Sequence, residues 1–242
     1  MLLTNRTDVI FGGTSGWNSK DWTDSDDRVR GGSSQICEGT AQFCGKLDTT
    51  TLGGAGFASQ RTTEQDKTWD FTSFTGLELL IHGNQSDDKK YTFILKDTLP
   101  ERRSSTGPDQ STISWEYDFT KNENSAAIKD DVLSVVMQWS EFKPTYRGRP
   151  RDDASPLRLD HIKQMSFMMR SFFDTQSGDF QLTILSVQGI KAHDSNLRSS
   201  RTSIVSHDST VASIDKPVMT IGRDNKPAAP GFWSWLASCC RL

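Results

Sequence analysis

The side chains best suited to chemistry here are arginines beside glycine-rich turns. Arg28 follows Asp26 and Asp27 and precedes Gly31 and Gly32; Arg61 closes a stretch opened by Gly53; Arg147 and Arg149 bracket Gly148. A guanidinium binds carboxylates, phosphates or backbone carbonyls through two parallel hydrogen bonds. Such loops therefore suit recognition of a partner, or equally the stapling of a loop to its own acids, among them Asp26, Asp27 and Glu141. Glycine tolerates positive φ, so Gly31 and Gly32 read as a tight turn held by Asp27 and Arg28. Trp17, Trp22 and Trp69 fall in loop-like stretches, where a ring can stack on a sugar or contact a partner. Trp115 and Trp139 alternate with apolar residues and read as interior.

Catalytic groupings are lacking. His82, His161, His193 and His207 stand apart from one another, and only His161 has an acid beside it, Asp160. The acids are many, but no pair carries the aromatic and glycine context of a glycosidase dyad. Gly12-Gly13 and Gly53-Gly54-Ala55-Gly56 imitate phosphate loops, yet neither leads into an amphipathic helix, as a dinucleotide site requires. Four cysteines include no Cys-x-x-Cys spacing, which argues against a zinc or redox centre. The expectation is a protein that is not an enzyme and holds no metal and no cofactor.

Positioning those side chains falls to short strands. Ala41-Phe43-Gly45-Leu47, Leu77-Leu79-Ile81, Tyr91-Phe93-Leu95 and Ile113-Trp115-Tyr117-Phe119 alternate with polar neighbours, as do Val135-Met137-Trp139 and Met165-Phe167-Met169. The stretch from Leu77 to Leu95 reads as one hairpin. Phe180-Leu182-Ile184 slips phase to Leu185 and Val187, which a β-bulge would produce. One helical turn fits between Lys129 and Val136. Many short strands with polar loops predict an all-β, antiparallel jelly-roll sandwich.

The sandwich is expected over 8–192. A serine- and threonine-rich linker over 193–230 cannot bury enough apolar surface to offset its ordering entropy. An aromatic and cysteine-containing segment follows over 231–242. Hydrophobic residues make up 34% of 242 positions, consistent with a long polar segment, and the net charge of −3 provides no footprint for nucleic acid. No apolar run of membrane-spanning length occurs, and the first residues suit neither a signal peptide nor a mitochondrial presequence. The cytoplasm is the expected location. Cys239 and Cys240 stand next to Arg241 and Leu242 in the outline of a lipidation signal, beside Phe232, Trp233, Trp235 and Leu236. Lipidation there would add peripheral membrane association.

Four stretches also occur in a family order. They are Asp26-Asp27-Arg28-x-x-Gly31-Gly32-x-Ser34, Phe43-x-Gly45-x-Leu47, Gly53-Gly54-Ala55-Gly56-Phe57-Ala58-Ser59-Gln60-Arg61, and Trp139-x-x-Phe142-x-Pro144-x-Tyr146-Arg147-Gly148-Arg149. The set resembles the complex I intermediate-associated protein 30 family, from about Trp22 to about Ile190. The resemblance implies a galactose-binding-like β-sandwich and a chaperone-like role in assembling mitochondrial respiratory complex I, with a mitochondrial location as the alternative to the cytoplasm. It implies a protein partner, and no small-molecule substrate is inferred. The alternative reading is a carbohydrate-binding module, a common use of that fold. Asp27, Arg28, Gly31, Gly32, Arg61, Trp69, Arg147 and Arg149 are the expected partner-binding residues, on one shared surface.

Overall fold

The computed structural model describes residues 7–26, 41–50, 56–63, 67–100 and 111–191, together with the backbone of 32–36. The expected linker and the segment bearing Cys239 and Cys240 lie outside the described residues, as do Asp27, Arg28 and Gly31.

Two seven-stranded sheets form the fold. The first contains β1 (Thr7–Gly12), β3 (Gly32–Ile36), β4 (Ala41–Leu47), β6 (Phe74–His82), β9 (Ser125–Lys129), β10 (Val132–Gln138) and β14 (Gly178–Lys191). Its order is β3-β4-β14-β6-β10-β9, with β1 also paired to β14. The second runs β12-β11-β8-β7-β13-β5-β2. Here β2 is Trp22–Asp24, β5 Phe57–Thr62, β7 Tyr91–Lys96 and β8 Ser114–Phe119. The rest are β11 (Lys143–Tyr146), β12 (Arg149–Pro150) and β13 (Gln164–Arg170). Every pairing is antiparallel. The one α-helix among the described residues is a single turn, Lys121–Asn124. The antiparallel sandwich is as the alternation predicts.

Alternation places the core. Leu77, Leu79 and Ile81 of the first sheet face Phe93, Leu95, Met165 and Phe167 of the second, all fully buried. Phe167 is the hub: its ring lies 5.3 Å from Trp22, 5.1 Å from Phe93 and 6.2 Å from Phe43, joining both sheets. Truncating a side chain so enclosed costs about 3–5 kcal/mol. The bulge expected in the last strand exists, because the register of β14 against β6 shifts between Ile184 and Ser186. That slip returns Val187 to the core.

Two expectations fail. Leu77–Leu95 is no hairpin, because β6 and β7 belong to different sheets. The connection between them crosses the sandwich and is fastened on both sides. Asp87 accepts from Gln181 N at 2.8 Å and from Tyr91 Oη at 2.8 Å, and Lys121 Nζ donates to Gly83 O at 3.1 Å. Alternation reports that two strands are near in sequence, not that they pair. Nor is there a helical turn between Lys129 and Val136. That stretch is the β9–β10 turn, with Asp130 at φ 50° and Asp131 at φ 65°, the left-handed pair that closes a two-residue hairpin.

Candidate functional site

The outward face of the second sheet is polar and ordered in rows. Register places Thr23, Arg61, Ser166, Ile94, Glu116 and Lys143 across successive strands. A parallel row runs Ser59, Met168, Thr92, Asp118. Arg170 ends β13 beside these rows and holds two acids at once. Its Nη1 lies 2.7 Å from Glu116 Oε2 and its Nη2 2.7 Å from Asp118 Oδ1. Thr145 Oγ1 donates to Glu116 Oε1 and Thr92 Oγ1 to Asp118 Oδ1, both at 2.6 Å. Phe172 lies against the guanidinium, 4.5 Å away.

Near this triad the sheet edge breaks. β11 pairs with Ser114, Trp115 and Glu116 alone, so among the described residues the ladder on that side of β8 ends halfway. A cleft of about 600 Å³ opens where it ends. Glu116, Tyr117, Asp118, Asn124 and Arg170 line it, together with exposed Glu141, Lys143 and Asp152. Tyr117 gives its hydroxyl hydrogen to Val136 O at 3.3 Å. Burial raises its pKa above the ordinary tyrosine value, and the charge of Glu141 adds to the rise. Glu141 itself caps the turn Trp139–Glu141, accepting from Gln138 N at 2.8 Å. On the same face burial lowers the pKa of the Lys96 amine. Arg61 lowers it further and Glu116 opposes.

The expected site residues are scattered. Arg147 and Gly148, at φ 52° and 71°, form the two-residue turn between β11 and β12. Arg147 Nε donates to Ser111 Oγ at 3.1 Å, and its guanidinium lies 5.6 Å from the Tyr146 ring. Arg149 is exposed on β12, between Gly148 and Pro150, which line the cleft. Arg61 stands four strands from β11, about 19 Å at the usual spacing. Gly32 opens β3, at the far edge of the other sheet. Trp69 forms a lone bridge to Ile162, its N 2.9 Å from Ile162 O, with the Lys67 amine 5.1 Å over its ring.

The loop tryptophans are not an open platform. Trp22 belongs to β2 and is 5% exposed, with its Nε1 buried and unpartnered. Trp17 packs 5.9 Å from Phe11 and 5.7 Å from Trp22. Trp139 packs inward, donating from Nε1 to Phe74 O at 2.7 Å. Among the histidines, His82 pairs with Asp131, Nδ1 to Oδ2 at 2.5 Å, and staples the β9–β10 turn to β6. Among the described residues, no three histidine, cysteine or acid side chains gather as a metal site. No helix of the described residues is long and apolar enough to cross a membrane.

Two antiparallel sheets with a polar cleft at one edge define a jelly-roll β-sandwich. The chain belongs to the complex I intermediate-associated protein 30 family, whose model matches residues 7–184. An uncharacterized protein of Schizosaccharomyces pombe, C9E9.15, is 46% identical over 191 residues, covering 75% of this chain and 83% of the relative. Two solved structures are similar to this chain. One is a family 11 carbohydrate-binding module of a cellulosomal cellulase of Clostridium thermocellum, with 15% identity, 78% of this chain and 97% of that chain covered, and TM-score 0.49. The other is the family 11 module from that organism in complex with a β-1,3-1,4-mixed-linked tetrasaccharide, with 13% identity, 79% and 98% covered, and TM-score 0.41.

Proposed function

We propose that this chain is a non-enzymatic protein-binding module that holds an assembly intermediate, and that the cleft beside β8 receives an extended stretch of it. The observation carrying this reading is the interrupted ladder. A strand edge that stops being paired inside a cleft offers main-chain donors and acceptors to another chain. The triad supports holding over catalysis. Glu116 and Asp118 each spend their bonds on Arg170 and a threonine, so neither is set to move a proton. The assembly named in the family description is complex I, and its intermediates are the first partners to test. A glycan reading has less support, because Trp17 and Trp22 pack on each other, and Trp69 packs against Phe11 with the Lys67 amine over its ring. Stacking on sugar needs open ring faces.

A photo-cross-linking residue at Asp152 or Lys143 tests this in cells, with one at exposed Val9 as control. The expected result is a recurring set of polypeptides cross-linked from the cleft and not from Val9, with complex I subunits prominent. Equal labelling from all positions overturns the cleft reading. Calorimetric binding of a mixed-linkage glucan tetrasaccharide, abolished by Glu141→Arg, overturns the protein-binding reading as well.

A further inference from the structure

Four polar side chains of β5, β7 and β13 gather on the outward face of the second sheet. Register sets Arg61 directly opposite Ser166, and Lys96 directly opposite Gln164. Gln164 and Ser166 are two apart on β13, so all four side chains share one face, and the opposed Cα atoms lie about 4.5–5.5 Å apart. Ile94, opposite Ser166 on β7 and 4% exposed, gives the group an apolar flank. None of the four lines the cleft.

Their bonding is incomplete. Gln164 is 8% exposed and Ser166 6%, yet the amide of one and the hydroxyl of the other have no hydrogen-bond partner among the described residues. Polar groups so enclosed are ordinarily paired, and leaving them unpaired costs stability. Arg61, half-buried, has neither an acid nor another acceptor among the described residues. Lys96, also half-buried, donates to Thr112 Oγ1 at 3.2 Å and forms no ion pair there. Burial lowers the pKa of its amine, Glu116 opposes and Arg61 adds to the fall. The two cations therefore feel each other. Glu116 does not neutralise them, because its oxygens are taken by Arg170 and Thr145.

We propose that Arg61, Lys96, Gln164 and Ser166 form a binding site for a phosphate group. The Cα atoms of Arg61 and Lys96 are about 12 Å apart at the usual spacings, and each side chain is long enough to cover half of that. The head groups can then converge above Gln164 and Ser166. Two cations match the charge of a phosphate monoester, close to −2 at neutral pH. The donors are a guanidinium fork, an ammonium, an amide and a hydroxyl, and they come from both sides. Three oxygens of a phosphate can meet all of them; the two coplanar oxygens of a carboxylate cannot. Free phosphate and a phosphate carried on a serine of another polypeptide present the same oxygens, and the test separates them. The site is independent of the cleft, so either reading can fail without the other.

Titrating the Tm of the full chain with inorganic phosphate, from about 0.1 mM to about 50 mM at constant ionic strength, measures binding. A dissociation constant on the order of 1 mM is expected, which raises Tm by roughly 4–7 °C at about 20 mM. Arg61→Gln and Lys96→Gln should each weaken binding by about tenfold or more. Gln164→Leu removes a buried unpaired amide. It should unfold no lower than wild type without phosphate, and gain less than wild type with it. Phosphoserine run beside phosphate identifies the source. An equal gain assigns the site to phosphate carried on a protein, and a gain from phosphate alone assigns it to the free ion; either result supports the site. No gain from phosphate, or an equal gain from acetate, overturns the proposal. So does a gain unchanged in Arg61→Gln and Lys96→Gln, which would be the general effect of phosphate on any folded chain.

Discussion

Replacing Arg170 by methionine isolates the central charge arrangement of the cleft. Its two Nη atoms each lie 2.7 Å from a carboxylate, on Glu116 and Asp118. The Glu116 side chain is 9% exposed, Asp118 32% and Arg170 22%. At an effective dielectric near 20, unit charges about 4 Å apart attract by roughly 4 kcal/mol, before desolvation is subtracted. Removing one partner of a buried pair costs about 3–5 kcal/mol, because the charge left behind stays buried. Asp118 keeps a third of its surface in water, so the low end applies. We expect Arg170→Met to lose about 3 kcal/mol at pH 7. For a domain of this size that lowers Tm by roughly 6–12 °C. Thermal and urea unfolding of wild type, Arg170→Met and Arg170→Met/Glu116→Gln/Asp118→Asn at pH 7 read the effect. The triple variant leaves no carboxylate stranded and should recover most of the single variant's deficit. A loss under about 1 kcal/mol, or a triple variant no better than the single, would refute the reasoning.

Gly12→Ala should cost roughly 2–4 kcal/mol. Its φ is 75°, and an added Cβ would lie 2.4 Å from both Leu185 O and Trp17 Nε1. Gly148→Ala, at φ 71° with open space around it, should cost only about 1 kcal/mol, so equal shifts in urea midpoint would count against the steric account. Lys96 has its folded pKa below the ordinary lysine value, through burial first. The folded state therefore binds that proton less well than the unfolded state, and stability rises with pH toward about 10.4. Between pH 7 and pH 10 the wild type should gain Tm relative to Lys96→Met, and parallel profiles would contradict this. Thr72 holds the Asp70 carboxyl below the ordinary aspartate value through two hydrogen bonds. Its contribution is present above about pH 4 and is lost as pH falls through the lower folded value. The small stability gap between wild type and Asp70→Asn should close below pH 4, and a gap independent of pH would exclude that origin.

The architecture was readable because core positions alternate with period two, and apolar side chains are wasted unless one face is buried. Trp115, Tyr117 and Phe119 announced β8, and the slip from Ile184 to Val187 announced the bulge. Pairing was not readable. Leu77–Ile81 and Tyr91–Leu95 have the pattern of hairpin arms, yet each completes a different sheet, because long-range register decides which edge a strand joins. The cleft was half visible. Glu116 and Asp118 fell on the polar side of their strand, and Arg147 and Arg149 reached the neighbouring hairpin. Arg170 carried no local signal, because its role comes from β13 being placed two strands away, beyond β7. Trp22 misled for the same reason. A three-residue strand is too short for periodicity, so a core ring resembled a loop ring.

Among the described residues β14 is the last strand and also the longest. Its first half pairs with β4, and its second half runs between β1 and β6. Of the described strands, the earliest, β1, therefore waits for the latest, β14, before it has a neighbour. Pairing the first described strand with the last gives high contact order and slow closure. During that wait β1, β4 and β6 each present an unfilled side. Until residue 191 has left the ribosome the chain is itself an unfinished assembly, open to capture by other strands. Any premature stop upstream of Gly178 would leave that gap permanent.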